Sequence, residues 1–570
     1  MTFTPPVADQ KFVLAYVVRI GELAAHDTFA DATADVVDAI VEGAGAFAAG
    51  EFAPLNRVGD TVGAKWSRDG VTMPPGFKEA YQAYVEGGWG TLSGPAEYGG
   101  QGLPLTLATV VMEDLGAANM AFSLIMMLTP GTVEALKHHG SDELKAQWLP
   151  KLVSGEWSGT MNLTEPQAGS DVGALKSKAV PNGDGSFSIT GTKIFITFGD
   201  HDMADNIVHL VLARTPDAPP GTKGISLFLV PKILPDGTAN DLRCVSIEHK
   251  LGIHASPTCI MSYGDEGRCT GWLVGPEMGG MRAMFTMMNN ARLNVGLQGV
   301  SIAERATQAA YAYATGRIQG VREGRAAPIV EHPDVRRMLL RMKALTQAAR
   351  ALCYYAAGQT DRASLGDRAA QARADLLTPL VKAYGTDIGC EVASLGVQIH
   401  GGMGYVEETG AAQHYRDIRI APIYEGTNGI QAADLVGRKL GLQDGAVLAR
   451  LLAEMREGAG APLTALLDAV EDVAAHLAST ETSADAKLGG SYPFLTMLSV
   501  AVSGWLMSVQ AIEARRMLQA GEGDPLFLRI KVAAADYYLG CVVPEAAGLK
   551  TAALDGASAA WTVPTEAFAA

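Results

Sequence analysis

Hydrophobic spacing divides the chain into three regimes. Up to about residue 155 the apolar positions recur at helical spacing. Residues 31–48 form an Ala- and Val-rich run with few breakers, and 105–117 read as a buried helix. Pro74-Pro75-Gly76 and Gly99-Gly100-Gln101-Gly102 punctuate this region as turns. Near Gly159 the period changes. Ser186 to Thr190 and Lys193 to Thr197 alternate on either side of Gly191-Thr192, which predicts a two-stranded hairpin. Continuous apolar runs at 207–212 and 225–230 predict further strands, and Pro219-Pro220-Gly221 and Pro235-Asp236-Gly237 mark turns. Helical spacing returns at Met281 and continues without proline to Ala314. A second helix opens at Pro333 and runs towards Gly358, with others expected at 376–397 and 430–440. Beyond Gly441, four more helical patterns cover 446–457, 462–479, 492–519 and 526–540.

The expected architecture is mainly α with a central β domain. Its parts are an N-terminal helical domain (1–158), a β domain (159–280), a helical bundle (281–440) and an additional C-terminal helical domain (441–570). Roughly three or four domains suit 570 residues, because a single core stops growing well below that length.

Composition narrows the partners. Charged residues make up 19% and the net charge is -16, which disfavours nucleic acid or an anionic membrane surface, since both ask for a positive face. The six cysteines are scattered without a C-x-x-C pair, the usage of reduced thiols in a cytoplasmic protein. Met1 to Gln10 has no basic run followed by an apolar one, so no secretory leader is expected. The uncharged stretch 489–512 is long enough to span a bilayer, but Ser491, Thr496, Ser499, Ser503, Ser508 and Gln510 interrupt it. A buried core helix is expected there, and likewise at 116–133; no integral membrane segment is expected.

Several segments carry chemistry-bearing residues. Ala168-Gly169-Ser170 combines a backbone open to close approach with a hydroxyl donor, which suits a phosphate or a ring edge, although alone it reads as an ordinary turn. Gly100-Gln101-Gly102 and Gly402-Met403-Gly404 lack the third glycine and the strand–helix context of a dinucleotide fold. No G-x-S-x-G occurs, and the adjacent His138-His139 is not spaced for a metal, so no metal site is expected. Glu425 in Tyr424-Glu425-Gly426-Thr427 reads alone as a helix-start glutamate.

Taken as an ordered set these segments say more. Glu97-Tyr98-Gly99-Gly100-Gln101-Gly102-Leu103-Pro104, Met161-Asn162-Leu163-Thr164-Glu165-Pro166-Gln167-Ala168-Gly169-Ser170-Asp171, Lys193-Ile194-Phe195-Ile196-Thr197, Gln398-Ile399-His400-Gly401-Gly402-Met403-Gly404 and Ile423-Tyr424-Glu425-Gly426-Thr427 resemble, in order, the motifs of the acyl-CoA dehydrogenase family. The added C-terminal section is similar to a long bacterial subgroup that includes 3-methylmercaptopropionyl-CoA dehydrogenases and related fatty acyl-CoA dehydrogenases. The resemblance implies the acyl-CoA dehydrogenase fold, with a β-barrel-like middle domain, plus an extra helical domain. It also implies FAD as cofactor and an acyl-CoA thioester as substrate, oxidised to the trans-2-enoyl-CoA in fatty acid β-oxidation.

By that resemblance, Met161, Leu163 and Thr164 line the flavin, and Gly169 and Ser170 lie near the pyrophosphate, with Ser170 also near CoA. Phe195 stands where many relatives carry Trp, with Ile196 and Thr197 beside it; the family's usual Asn-Gly is replaced here by Phe198-Gly199-Asp200. Arg317 and Gln319 reach a neighbouring subunit's FAD, as do Gln398, Gly401 and Gly402 at its adenosine half. Thr427 and Asn428 touch FAD again, while Arg292 and Gly426 face substrate. Glu425 is the implied catalytic base, taking the α-proton while a hydride leaves Cβ for flavin N5. Some relatives place the base just before the residue corresponding to Arg292; here that position is Ala291, which leaves Glu425. The resemblance implies a homo-oligomer, a dimer for this longer chain, and electron-transferring flavoprotein as acceptor. An acyl-CoA oxidase, a DNA-associated flavoprotein and a flavin monooxygenase remain alternatives on the same fold.

Overall fold

The computed structural model describes residues 3–570, apart from the side chains of Asn289 and Ala557, so Met1 and Thr2 of the N-terminal reading lie outside it. The chain forms two compact units, one of Glu42–Ala291 and one of Phe3–Val41 with Arg292–Ala570.

In the unit Glu42–Ala291, helices Leu105–Ala118, Met120–His139 and Asp142–Ser154 precede an eight-stranded sheet. Asn119 and Ser141 fix two helix starts by accepting from the N–H groups of Phe122 (3.2 Å) and Leu144 (3.3 Å). Strand Trp157–Asn162 runs parallel to Asn206–Ala213, which pairs antiparallel with Ser226–Pro231. These last two strands are buried along their whole length, which explains their continuous apolar reading. Their Val208, Leu210, Leu227 and Leu229 share one core with Trp148, Leu149 and Leu152.

The predicted hairpin is instead one strand, Ser186–Thr197. Its first half pairs with Lys178–Pro181 and Thr270–Val274, and its second half with Thr258–Tyr263. Gly191 passes at φ 153° where a Cβ would collide with Ser177, so the glycine marks close approach by another segment rather than a reversal. A bulge between Lys193 and Ile196 then re-aims the strand's end.

The unit Phe3–Val41 with Arg292–Ala570 is helical. Its long members are the 292–316 part of helix Gly280–Gly316, Pro333–Ser364, Arg368–His400 and Ala484–Ala520. Asp367 caps Arg368–His400 by accepting from Ala369 (2.8 Å) and Ala370 (3.0 Å), and Gly401 ends it at φ 59°. Gly296 and Gly299 face Gly385 and Gly389 so closely that a Cβ would strike the opposite backbone, so two helices meet main chain to main chain. The helix expected at 430–440 is shorter, Asn428–Asp434, followed by a π-helical turn at Leu435–Lys439. Ala484–Ala520 is long and apolar enough to cross a membrane, yet 72% of its most apolar window is buried against its own unit, as a core helix requires.

A buried charge cluster ties the ends of this unit together. Arg350 donates to Asp9 and to Glu304 (2.8 Å), and Lys531 donates to Asp9 (2.6 Å) and Gln510. Burial alone would raise the Asp9 carboxyl, but Lys531 and Arg350 hold it well below the usual carboxylate range. Asp9→Ala would leave two buried cations short of an anion, a change that typically costs about 3–5 kcal/mol. The expected result is a clear drop in Tm, followed by circular dichroism; an unchanged Tm would show the cluster to be energetically idle.

Candidate functional site

The cofactor segment in Glu42–Ala291 is held by one buried ion pair. Strand Trp157–Asn162 ends just before Leu163, and the loop that follows folds around the Glu165 carboxylate. That group accepts from Lys193 Nζ (2.8 Å), Ser177 Oγ (2.6 Å), the backbone N–H groups of Lys176 (2.7 Å) and Ser177 (3.0 Å), and Gln167 Nε2 (2.7 Å). Burial pushes the Glu165 pKa up, but Lys193 and these donors bring it down to about 2. Lys193 also donates to the Leu163 carbonyl (3.1 Å), and Ile194 N–H donates to that of Thr164 (2.9 Å).

Leu163 and Thr164 are thereby brought beside the strand that carries Phe195 and Thr197. Phe195 is 58% exposed and sits at φ 60°, a left-handed conformation unusual for a bulky residue. Thr164 and Thr197 are half-buried, and Gly169 and Ser170 are exposed. A Cβ at Gly169 would meet nothing within 4 Å, so internal packing does not demand the glycine. Ile196 is buried in the interior, and Met161 is half-buried against the apolar core.

The base segment lies in the other unit. Residues 419–427 form a loop closed by Asn428 N–H donating to the Pro422 carbonyl (3.0 Å), and Thr427 caps the next helix by accepting from Ile430 N–H (3.2 Å). Gln431 Nε2 donates to the carbonyls of Glu425 and Gly426 (3.3 Å each), and the Tyr424 hydroxyl donates to Gln298. Glu425 takes φ 56° and Gly426 φ 84°, so the half-buried carboxylate is aimed by a left-handed pair. Burial pushes its pKa up to about 7, against the pull of Arg292 and Lys382. The Arg292 guanidinium is buried; its Nε has no partner among the described residues, and its Nη1 lies 4.0 Å from Asp434.

Asn428 is buried. Its amide turns inward, accepting from Lys382 Nζ (2.8 Å) and donating to Asp387 (2.9 Å) and Thr386 (3.0 Å), so its side chain ties the base loop to helix Arg368–His400. Arg317 and Gln319 are exposed at and just inside the first strand of the hairpin Ile318–Arg322 with Arg325–Pro328. Gln398, Gly401 and Gly402 are exposed at the end of helix Arg368–His400. His400 between them is buried, stacks on Tyr313 at 4.4 Å and donates through Nδ1 to the Gly396 carbonyl (2.7 Å), a structural role. Sequence reasoning missed Lys193 and Lys382, both fully buried, and Asp387. A lysine surrounded by apolar helix positions, as in Leu380-Val381-Lys382-Ala383, was the available signal for the second.

The chain matches, in order, "Acyl-CoA dehydrogenase, N-terminal domain" at 36–156, "middle domain" at 160–265, "C-terminal domain" at 278–440, and "Acetyl-CoA dehydrogenase C-terminal like" at 445–564. It is 47% identical to the 3-methylmercaptopropionyl-CoA dehydrogenase of Ruegeria pomeroyi, over 96% of this chain and 97% of that protein. It is 36% identical to a butyryl-CoA dehydrogenase of Syntrophomonas wolfei, over 98% of each. The acyl-CoA dehydrogenase of Bacillus anthracis, solved with FAD, shares the fold with a TM-score of 0.76 at 23% identity, covering 93% of this chain and 89% of that one. These matches define a class of FAD-dependent oxidoreductases. The chain belongs to the acyl-CoA dehydrogenase family.

FAD asks for a flat support, polar groups at the ring edge and an open backbone near its phosphates. Exposed Phe195, the Thr164 and Thr197 hydroxyls, and Gly169-Ser170 fit that demand. Glu165→Gln would strip the charge from the Lys193 partner and loosen this loop. We expect FAD affinity to fall by about tenfold or more, read by flavin absorbance titration. Unchanged affinity would mean that the ion pair does not hold the cofactor segment.

Proposed function

We propose that the protein dehydrogenates an acyl-CoA at Cα–Cβ, giving the trans-2-enoyl-CoA, with Glu425 as the base. The observation that carries this is Glu425 itself: a half-buried carboxylate in a left-handed turn, partly desolvated and faced by the buried cations Arg292 and Lys382. A base that takes an α-proton near neutral pH works best with a pKa near the working pH, and about 7 meets that condition. Burial strengthens its proton affinity, while the two cations keep the charged form accessible. Bound FAD would supply the hydride acceptor. Leu163, Thr164, Phe195 and Thr197 would hold its ring system, and Gly169 with Ser170 its phosphate side. Arg292 and Gly426, next to the base, would face the acyl thioester. The functional division we infer, 1–158, 159–280, 281–440 and 441–570, is supported by the spans of the four family matches.

The acceptor we propose is electron-transferring flavoprotein, on family resemblance, and the assembly a homodimer. Ile318 (58% exposed), Val321 (67%) and Tyr405 (88%) support assembly, because large apolar side chains exposed on the Arg317 hairpin and just past the Gln398 helix end favour cover by another copy. Light scattering of the FAD-saturated protein should give twice the chain mass; an active monomer would refute the assembly. An acyl-CoA panel with an artificial acceptor, beginning with 3-methylmercaptopropionyl-CoA and butyryl-CoA, should reveal the preferred substrate. Peroxide release at the turnover rate would instead make the protein an oxidase.

Glu425→Gln tests the base. The amide is nearly isosteric, so flavin and acyl-CoA should still bind, while turnover falls by about two to four orders of magnitude. In the wild type the base must be ionised, so kcat/KM should fall as pH drops below about 7. Rapid anaerobic bleaching by Glu425→Gln would place the base elsewhere.

A further inference from the structure

We propose that Tyr492 and Asp387 are positioning residues for the base, clamping Asn428 and the Lys382 ammonium beneath the turn that carries Glu425. This rests on the reading of Glu425 as base, and it gives the appended C-terminal section a part in the reaction. Tyr492 lies on helix Ala484–Ala520, far along the chain from the base. Its hydroxyl donates to Asp387 Oδ2 (2.6 Å). The other oxygen, Oδ1, accepts from Asn428 Nδ2 (2.9 Å), and Asn428 Oδ1 accepts from Lys382 Nζ (2.8 Å). Asn428 stands three residues after Glu425 and closes the base loop through its backbone N–H to Pro422 O (3.0 Å). One residue therefore sets both the loop's closure and the place of the cation that favours ionised Glu425.

The relay has a direction. Asp387 is half-buried and its own pKa is raised by desolvation, against the donors Tyr492 and Asn428 and the charge of Lys382. An anionic Asp387, with the Ala383 carbonyl (3.3 Å) and Thr386 Oγ1 (3.0 Å) beside it, orients the Asn428 amide with its Nδ2 inward, which turns Oδ1 towards Lys382. Without the Tyr492 donor the Asp387 anion is less well held, the amide is freer to rotate, and the ammonium loses its fixed place. Other groups bear on the same locus: Arg292 from helix Gly280–Gly316, Tyr424 on the base segment, Asp434 and Arg438 beyond it, and Arg419 and Cys390 near Asp387. None of these is displaced by removing one phenolic oxygen.

The test is the pH profile of kcat/KM for the FAD-loaded enzyme. Tyr492→Phe should move the acid limb up by about half a unit, a loss of about threefold below the limb with the plateau kept. Lys382→Met should move it further in the same direction, by about one unit or tenfold, because the cation itself is gone. The double variant should match Lys382→Met alone, since the clamp acts through the lysine. Tyr492 is 38% exposed, so Tyr492→Phe carries the test even where Lys382→Met does not fold. A lower Tm with an unmoved acid limb in Tyr492→Phe would overturn the proposal and leave a merely structural hydrogen bond. Shifts that add in the double variant would overturn it as well. Glu425→Gln separates the two readings: rapid bleaching there sinks the base assignment, whereas a dead Glu425→Gln beside an unmoved Tyr492→Phe limb sinks only the clamp.

Discussion

A carboxylate that is to act as a base near neutrality faces two opposed demands. Water must be removed to raise its proton affinity, yet a bare buried anion is so costly that it would simply stay protonated. At Glu425 the balance is struck by charge at a distance. Burial lifts the group to about 7 while Arg292 and Lys382 pull it back, and no hydrogen bond from the described residues contributes to that balance. Donors directly on the carboxylate would have lowered it much further, as they do at Glu165, which is held at about 2. Much of the helical unit is arranged around that constraint. Arg292 and Lys382 stand on two helices, and the glycine contacts at Gly296, Gly299, Gly385 and Gly389 let those helices run backbone against backbone.

The same physics is used elsewhere with the opposite aim. Glu165 with Lys193, and Asp9 with Arg350, Glu304 and Lys531, are buried charges satisfied by direct partners. Such pairs add little net stability over apolar packing, but each fixes which segments meet, because any other arrangement strands a charge. The first holds the loop 163–171 against the strand bearing Phe195. The second fastens helix Val7–Val13 to Pro333–Ser364 and Pro525–Tyr537, so that both ends of the chain belong to one unit.

Local patterns exposed most elements and fewer of their relations. The helices at 281–314, 376–397 and 492–519 were legible because period and breakers agreed, and the structure extends each at both ends. Gly191-Thr192 was misread because a glycine between two alternating runs has the same local form whether the chain reverses or merely bends; the deciding fact, Ser177 pressed against it, is non-local. Glu425 was found through motif order rather than through any property of the residue. Asn428 shows the limit of that route. Motif position names the residue but not its side-chain partners, because Lys382 and Asp387 lie 46 and 41 residues earlier in the chain.

Helix Ala484–Ala520 shows why an appended domain need not be a mere cover. An apolar helix of this length is stable in water only if most of its faces are buried, and this one is buried along Phe494–Leu495 and Met497–Gly504. That packing fixes the helix in position and rotation. Once fixed, a polar group near its first turns has a defined address on its neighbours at no further entropic cost to the backbone. Tyr492, one residue before Pro493 and two before the buried run begins, is such a group, and its address is Asp387. The apolar face thus supplies the rigidity, and the single hydroxyl at its edge turns that rigidity into a constraint on the base loop.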